Sequence, residues 1–481
     1  MTRSAKLIAC AGVLAAAGAG YIALRTFFGL RVELAGSGTR PMFSFYKPEK
    51  HFENLERQRA AAAVPPDRSA AALPAESVVQ TASAAPVRPP AAAAVAEYWT
   101  TFRGPQLMGI YAQKPIDTSW PAAGLKQLWR QPVGGGYASF VIAQGKAYTI
   151  EQRRKREIVA AYDVTTGREM WSHGWDAAFD ESMGGPGPRA TPTWDEGRLY
   201  ALGAAGELRC LDGETGKRIW SKNILTDNGA ENITWGMAAA PLVVDGKVIV
   251  LPGGPSGKSV VAYDKLTGEA VWKALDDKQA YTSPVVVTLA GKRQILVVSA
   301  LRAMGLDVAN GALLWEYPWR TEYDINSAQP IVTAPDRVFI SAAYGHGADL
   351  IQIVQAGGKL SAKTLWSNNR MKNKFSSSVL REGYIYGLDE AILACMDAST
   401  GELKWKGGRY GYGQLLLAGD HLVVLSETGD LALVKASPSG FQEVAKFPAL
   451  DGKTWNNPAI ADGRLFVRNT TEMACFRIGK E

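Results

Sequence analysis

Histidine and cysteine, the side chains most often recruited for metal binding and nucleophilic chemistry, are scarce in this chain. Its four histidines, His51, His173, His346 and His421, are scattered over 481 residues, and none stands at the spacing of a metal-ligand pair. His173, between Trp171 and Trp175, reads as a packed residue between sheets. The four cysteines form no Cys-x-x-Cys-His sequence, which excludes that mode of haem attachment. A dense block of one charge is also missing. Lys and Arg exceed Asp and Glu by 53 to 46, but the bases are spread out. The densest run, Arg153-Arg154-Lys155-Arg156, is bracketed by Glu151 and Glu157 and falls where a solvated hairpin turn is expected. Nucleic acid is therefore not an expected partner. Residues 253–259, Gly-Gly-Pro-Ser-Gly-Lys-Ser, lack a phosphate loop's first glycine, since Pro252 takes that place. They join two strands and read as a hairpin turn. No catalytic residue and no metal site are predicted.

Glycine (50) and tryptophan (14) are abundant, and they come in a pattern. Asp264, Gly268 and Trp272 recur as Asp163, Gly167 and Trp171; Asp212, Gly216 and Trp220; Asp307, Gly311 and Trp315; and Asp397, Gly401 and Trp405. Each copy reads as a strand, a tight turn and a returning strand. The Asp accepts hydrogen bonds from the turn backbone, the Gly supplies a positive φ, and the Trp fills the gap between neighbouring sheets. Trp-bearing strands fall at 129, 171, 220, 272, 315, 366 and 405, and a strand at 442–446 takes the next slot without a Trp. A period of about 40–50 residues is that of a four-stranded propeller blade. Hairpins are expected at 140–150, 192–202, 241–251, 284–299, 330–341, 377–388, 415–426 and 458–469. The Trp129 strand precedes the first hairpin and the last hairpin lacks a Trp strand. The expectation is an all-β, eight-bladed propeller, with seven blades as the fallback, closed by pairing the chain's two ends in the last blade. It is expected to be monomeric. Cys210, Cys395 and Cys475 stand two residues before the turn Asp or its replacement, where other repeats have Ala161, Ala262 and Gly305. That is a site for a small buried residue. Lying in different blades, these cysteines are too far apart to be bridged.

The pattern Ala-x-Asp-x-x-Thr-Gly-x-x-x-Trp at 262–272 resembles the repeat of the pyrroloquinoline quinone (PQQ) propeller superfamily. The resemblance runs from Trp99 to the C-terminus, and its opening Trp-x-x-Phe-Arg-Gly-Pro (99–105) is similar to that of bacterial PQQ-like repeat proteins. The superfamily contains quinoprotein alcohol dehydrogenases and non-enzymatic relatives such as the outer-membrane assembly factor BamB. The enzymatic branch implies PQQ over the channel, a stacking Trp, a vicinal disulfide, calcium held by Glu and Asn, and an Asp base. This chain has no adjacent cysteines, and the calcium ligands cannot be placed on a matching motif. Glu322, Asp324 and Asn326 offer oxygen ligands, but a polar loop between blades explains them too. The non-enzymatic branch is therefore the expectation, with no cofactor. A PQQ- and calcium-dependent dehydrogenase is the alternative.

The regions before the propeller (98–481) read differently. Residues 7–24 are apolar and uncharged, so 1–30 is read as an uncleaved anchor or a cleaved signal. Both readings export the rest to the periplasm or another extracytoplasmic space. Residues 31–59 are mixed, with a strand at 43–46 and a charged helix over 49–59. Residues 60–97 are rich in Ala and Pro and read as a tether of about 35 Å mean reach, holding the propeller off a membrane.

The segments leading into each inner strand ring one end of the channel, and they differ between blades. They supply Tyr137, Ser139, Arg189, Trp235, Tyr281, Asn326, Gln329, Lys374, Tyr412, Gln414, Trp455 and Asn456. Such a ring suits a protein, peptide or glycan of the cell envelope. The competing explanation is that the polar side chains satisfy strand ends while the aromatics fill the channel mouth.

Overall fold

The structure, a computed structural model, describes residues 18–34, 41–62 and 98–480. Before the ring lie a two-stranded hairpin, β1 (Leu30–Leu34) and β2 (Pro41–Phe45), and a helix, α1 (Pro48–Ala62), at the expected site over 49–59. Two short strands follow, β3 (Ile110–Tyr111) and β4 (Gln127–Pro132). Eight antiparallel blades then succeed one another, at 141–176, 193–223, 242–274, 285–318, 331–368, 379–409, 414–448 and 459–477. The last hairpin supplies only three strands. β4 completes blade 8, with Trp129 opposite Cys475, so the chain's two ends close the ring and no blade is left with an open seam.

The repeat explains itself in three dimensions. In the turn of blade 3, Asp264 Oδ1 accepts from the backbone N–H of Leu266 and Thr267 at 2.9 and 2.8 Å. Gly268 holds φ at +74°. Six of the Trp residues, Trp129, Trp171, Trp220, Trp272, Trp366 and Trp405, dock on the following blade, while the indole of Trp315 donates to Gln294 of its own blade. The Trp220 ring lies where a Cβ on Gly268 would stand, and the same holds for Trp171 with Gly216 and Trp129 with Gly167. The indole N–H of Trp129, Trp171, Trp220, Trp366 and Trp405 donates to a backbone carbonyl in the next blade. Burying one indole removes about 150–250 Å² from water, about 4–6 kcal/mol per seam before entropy is counted. Cys210, Cys395 and Cys475 are free and buried. They stand opposite Trp220, Trp405 and Trp129, where a larger side chain would crowd the ring.

Blade 7 lacks the Trp, and the structure shows what replaces it. Trp120, from the segment before β4, packs edge-on against Phe447 at 5.8 Å, and Phe447 packs on Phe476 of blade 8. Its indole donates to Asp117 O, and Asp117 N donates to Ile478 O. The seam between blades 7 and 8 is thus filled from outside the repeat.

The central channel is occupied by the chain itself. Trp99 pairs with Ile142 of blade 1, and Trp194 N of blade 2 donates to Thr100 O. Leu107 packs with Val285 and Val338 of blades 4 and 5, and β3 runs parallel to the inner strand of blade 7. Arg103 is 1% exposed. It donates to Ser378 O at 3.0 Å and, at 3.3 Å each, to Leu415 O and Asn457 Oδ1. The Trp-x-x-Phe-Arg-Gly-Pro segment is therefore an axial plug tying together blades on every side.

Helix α1 docks along the seam of blades 8 and 1. Arg59 pairs with Glu169 at 3.2 Å and donates to Pro132 O at 2.8 Å. The ring of His51 hydrogen-bonds Val133 O at 2.9 Å, and Leu55 is buried. One expectation changes here. The basic run is not simply a solvated turn, since Arg153 is mostly buried against Glu151 and Glu169, and Arg154 binds Glu49 and Glu56 of α1. The expected anchor (1–30) and the Ala/Pro-rich stretch (60–97) fall largely outside the described residues. Among those described, no helix is long and apolar enough to cross a membrane.

Candidate binding mouth

Inner strands all run the same way along the axis, so their lead-in segments gather at one end of the channel. The turns between second and third strands lie at that end too. The structure separates the twelve predicted side chains into two layers.

The lower layer is buried and committed to the ring itself. Ser139 N donates to Thr191 Oγ1 at 2.9 Å, and Ser139 Oγ donates to Asn457 O. Gln329 Oε1 accepts from Ser283 N at 2.7 Å, and its Nε2 donates to Ser283 O. Gln414 donates to Phe375 O and Trp455 O, Asn456 to Gly136 O and Ala138 O, and Asn326 to Ser299 O. Most of these bonds cross from one blade to the next. They are structural staples, as the competing explanation of the polar positions anticipated. Three acceptor oxygens, Asn326 Oδ1, Gln414 Oε1 and Asn456 Oδ1, have no protein partner, nor has Arg103 Nε. Such buried atoms call for water or a polar ligand. Burial pushes the Arg103 guanidinium down to about 9, which leaves it charged at neutral pH.

The upper layer is aromatic and cationic, and apart from the buried Tyr412 and Lys453 it is partly exposed. Tyr137, Trp455, Phe375 and Tyr412 form a continuous arc, with ring centroids 5.4, 4.6 and 5.8 Å apart in turn. Lys374 lies 4.6 Å from the Tyr412 ring centroid and 5.1 Å from that of Tyr344. Arg189 lies over Tyr137 and Phe179, and Lys453 over Trp455. These cation–π contacts hold the cations against ring faces. Burial lowers Lys374 and lifts Tyr281 and Tyr412 to about 12. Trp235 and Tyr281, 5.7 Å apart, form a second aromatic pair. Glu427 anchors the arc, its carboxylate accepting from Trp455 Nε1 at 3.0 Å and Tyr412 N at 3.3 Å. Tyr344 and Glu427 escaped the sequence reading because they sit in turns between second and third strands. Strand alternation within each blade was the signal that could have found them.

Glu322, Asp324 and Asn326 do not converge. Asn326 is buried, Asp324 pairs with Lys278 at 2.6 Å, and Glu322 is exposed. Among the described residues no three His, Cys, Asp or Glu side chains come together as a metal site.

Fold, plug and repeat together define a β-propeller of PQQ-like repeats. The chain belongs to the outer membrane protein assembly factor BamB family, whose profile matches residues 155–407, just over half of its length. BamB of Burkholderia pseudomallei is 22% identical over 300 residues, covering 54% of this chain and 73% of that protein. The quinohemoprotein alcohol dehydrogenase of Comamonas testosteroni is 34% identical over 128 residues, 24% of this chain and 17% of the enzyme. In sequence, the matched segment spans less than a fifth of each of three quinohemoprotein alcohol dehydrogenases. Among solved structures, BamB from Moraxella catarrhalis superposes with a TM-score of 0.54 at 17% identity, over 74% of this chain and 100% of that one. The Comamonas testosteroni enzyme superposes with a TM-score of 0.59 at 15% identity, over 81% and 82%. At these identities the likeness is one of fold.

Proposed function

We propose that this protein is an exported, membrane-anchored, non-catalytic binding module that receives a protein or peptide segment at the aromatic mouth. The observation that carries this is the division of labour between the layers. The lower layer is spent on joining blades, while the upper layer differs from blade to blade and presents the partly exposed rings of Tyr137, Trp235, Tyr281, Phe375 and Trp455, with Lys374, on a rigid support. Aromatic and Arg side chains of this kind dominate binding energy at protein interfaces. The family's description as an assembly factor supports a protein partner, and the apolar run at 7–24 supports export. In crosslinking followed by pull-down, the double variant Trp235→Ala/Tyr281→Ala and the double variant Tyr137→Ala/Trp455→Ala are compared with wild type. Several-fold loss of the wild-type partners from at least one variant is expected. Unchanged partners in both would exclude the mouth.

Short matches to quinohemoprotein alcohol dehydrogenases support a second reading, a PQQ- and calcium-dependent dehydrogenase at the same mouth. The residues do not fit that group. Calcium needs convergent oxygen ligands, several of them carboxylates. Here the charged group on the channel axis is the Arg103 cation, and its hydrogen-bond partners are neutral oxygens. Among the described residues, Cys210, Cys395 and Cys475 stand singly in separate blades. Added PQQ and calcium should neither raise the melting temperature nor give dye-linked alcohol oxidation.

A further inference from the structure

The β1–β2 hairpin shows one face that no other described part of the protein covers. Val32 stands opposite Phe43, and Leu30 opposite Phe45, so these four side chains share a face. Val32 is 41% exposed, Phe43 66% and Phe45 68%; just before the hairpin, Phe27 is 69% and Phe28 63% exposed. The opposite face is engaged, with Arg31 lying 4.0 Å from the Tyr46 ring centroid at the junction with α1. Two strands alone cannot shield such a surface, and a contiguous exposed patch of this kind marks an interaction site.

Two observations identify the occupant. The chain runs into the patch from residues 7–24, which are uncharged and apolar. Between residues 25 and 50 stand five bases, Arg25, Arg31, Arg40, Lys47 and Lys50, against two acids, Glu33 and Glu49. Exposed phenylalanines flanked by an excess of bases match the surface of an anionic bilayer, where an apolar face buries itself at the headgroup–acyl boundary and each base is attracted to the headgroups. A second copy of the hairpin would instead bring two positive surpluses together. We propose that the apolar face of the β1–β2 hairpin, with Phe27 and Phe28, seats in the interfacial layer of an anionic lipid membrane. Tyr46 leads directly into α1, and α1 is bonded to the seam of blades 8 and 1. The hairpin therefore fixes the propeller against the bilayer, with no free spacer between them. The proposal needs only a bilayer, so it stands or falls separately from the reading of the mouth.

The test uses the full chain with Cys10→Ser and one added cysteine, at Phe43, Phe45, Met42 or Ile219. Each variant is labelled with an environment-sensitive fluorophore and reconstituted into vesicles of phosphatidylcholine and phosphatidylglycerol. Labels at 43 and 45 should shift to the blue and be quenched by nitroxide lipids several-fold more than labels at 42 and 219. Equal quenching at 43, 45 and 219 would overturn the proposal even if the protein floats with the vesicles, because residues 7–24 alone can account for flotation. A blue shift at 43 without lipid, with Phe43→Cys chains crosslinking to one another, would overturn it in favour of a second copy.

Discussion

A tryptophan resting on a glycine of the neighbouring blade makes that glycine doubly constrained. Gly268 needs its positive φ for the turn, and a Cβ there would lie 2.8 Å from the Trp220 ring. Gly268→Ala therefore adds backbone strain to overpacking and should cost about 2–4 kcal/mol, read as a lower denaturation midpoint. Ala at the exposed hairpin glycine Gly291, where a Cβ meets nothing within 4 Å but φ is +77°, should cost only the strain. Equal losses at both positions would mean that the ring contact contributes nothing. The need for glycine was legible in the sequence, because turn chemistry is local. That the ring belongs to the previous blade was not, because one repeat carries no information about its neighbour's placement.

At the level of the element, α1 shows where local pattern runs out. A charged helix over these residues follows from composition, but its docking depends on ion pairs between residues far apart in sequence. Arg154 meets Glu56 across 98 positions, and nothing in a basic run says which acid it will find. The pairs of Arg59 and Arg153 with Glu169 are mostly buried, so breaking them leaves charge without its partner. In Arg59→Ala, amide protection in α1 and β4 should fall about a hundredfold, equivalent to about 3 kcal/mol. Blades 3 to 5 should keep wild-type exchange. Unchanged protection in β4 would show that the helix does not stabilise the closure. The axial plug is the same lesson in another form. Its Trp-x-x-Phe-Arg-Gly-Pro sequence was visible, while its path through the ring required the ring.

For the molecule as a whole, blade number and closure could be read because the repeat sets both the period and the missing strand. The mouth could be read only in part. Which lead-in residues face outward and which join blades depends on cross-blade hydrogen bonds that no single repeat encodes. Repetition also makes stability collectively sensitive to acid. Turn hydrogen bonds hold Asp212, Asp264, Asp307 and Asp397 below the usual carboxylate range. Burial alone would raise Glu151, but Arg153, Arg468 and Arg59 bring it down to about 2. For carboxylates depressed in the folded state, the stabilisation is full above their unfolded values. It is lost as pH falls through the folded ones. Melting temperature should therefore hold from pH 7 to about 5 and fall steeply between about 4 and 2, in steps too close to resolve as separate blades. Constant stability down to pH 3 would contradict the assignment.

Closing blade 8 with β4 also orders events in time. Arg130 is made 342 positions before its partner Glu472. During synthesis the strand leaves the ribosome early and must wait, its backbone unmatched, until residues 472–476 have emerged. Contacts of such long range are slow to form.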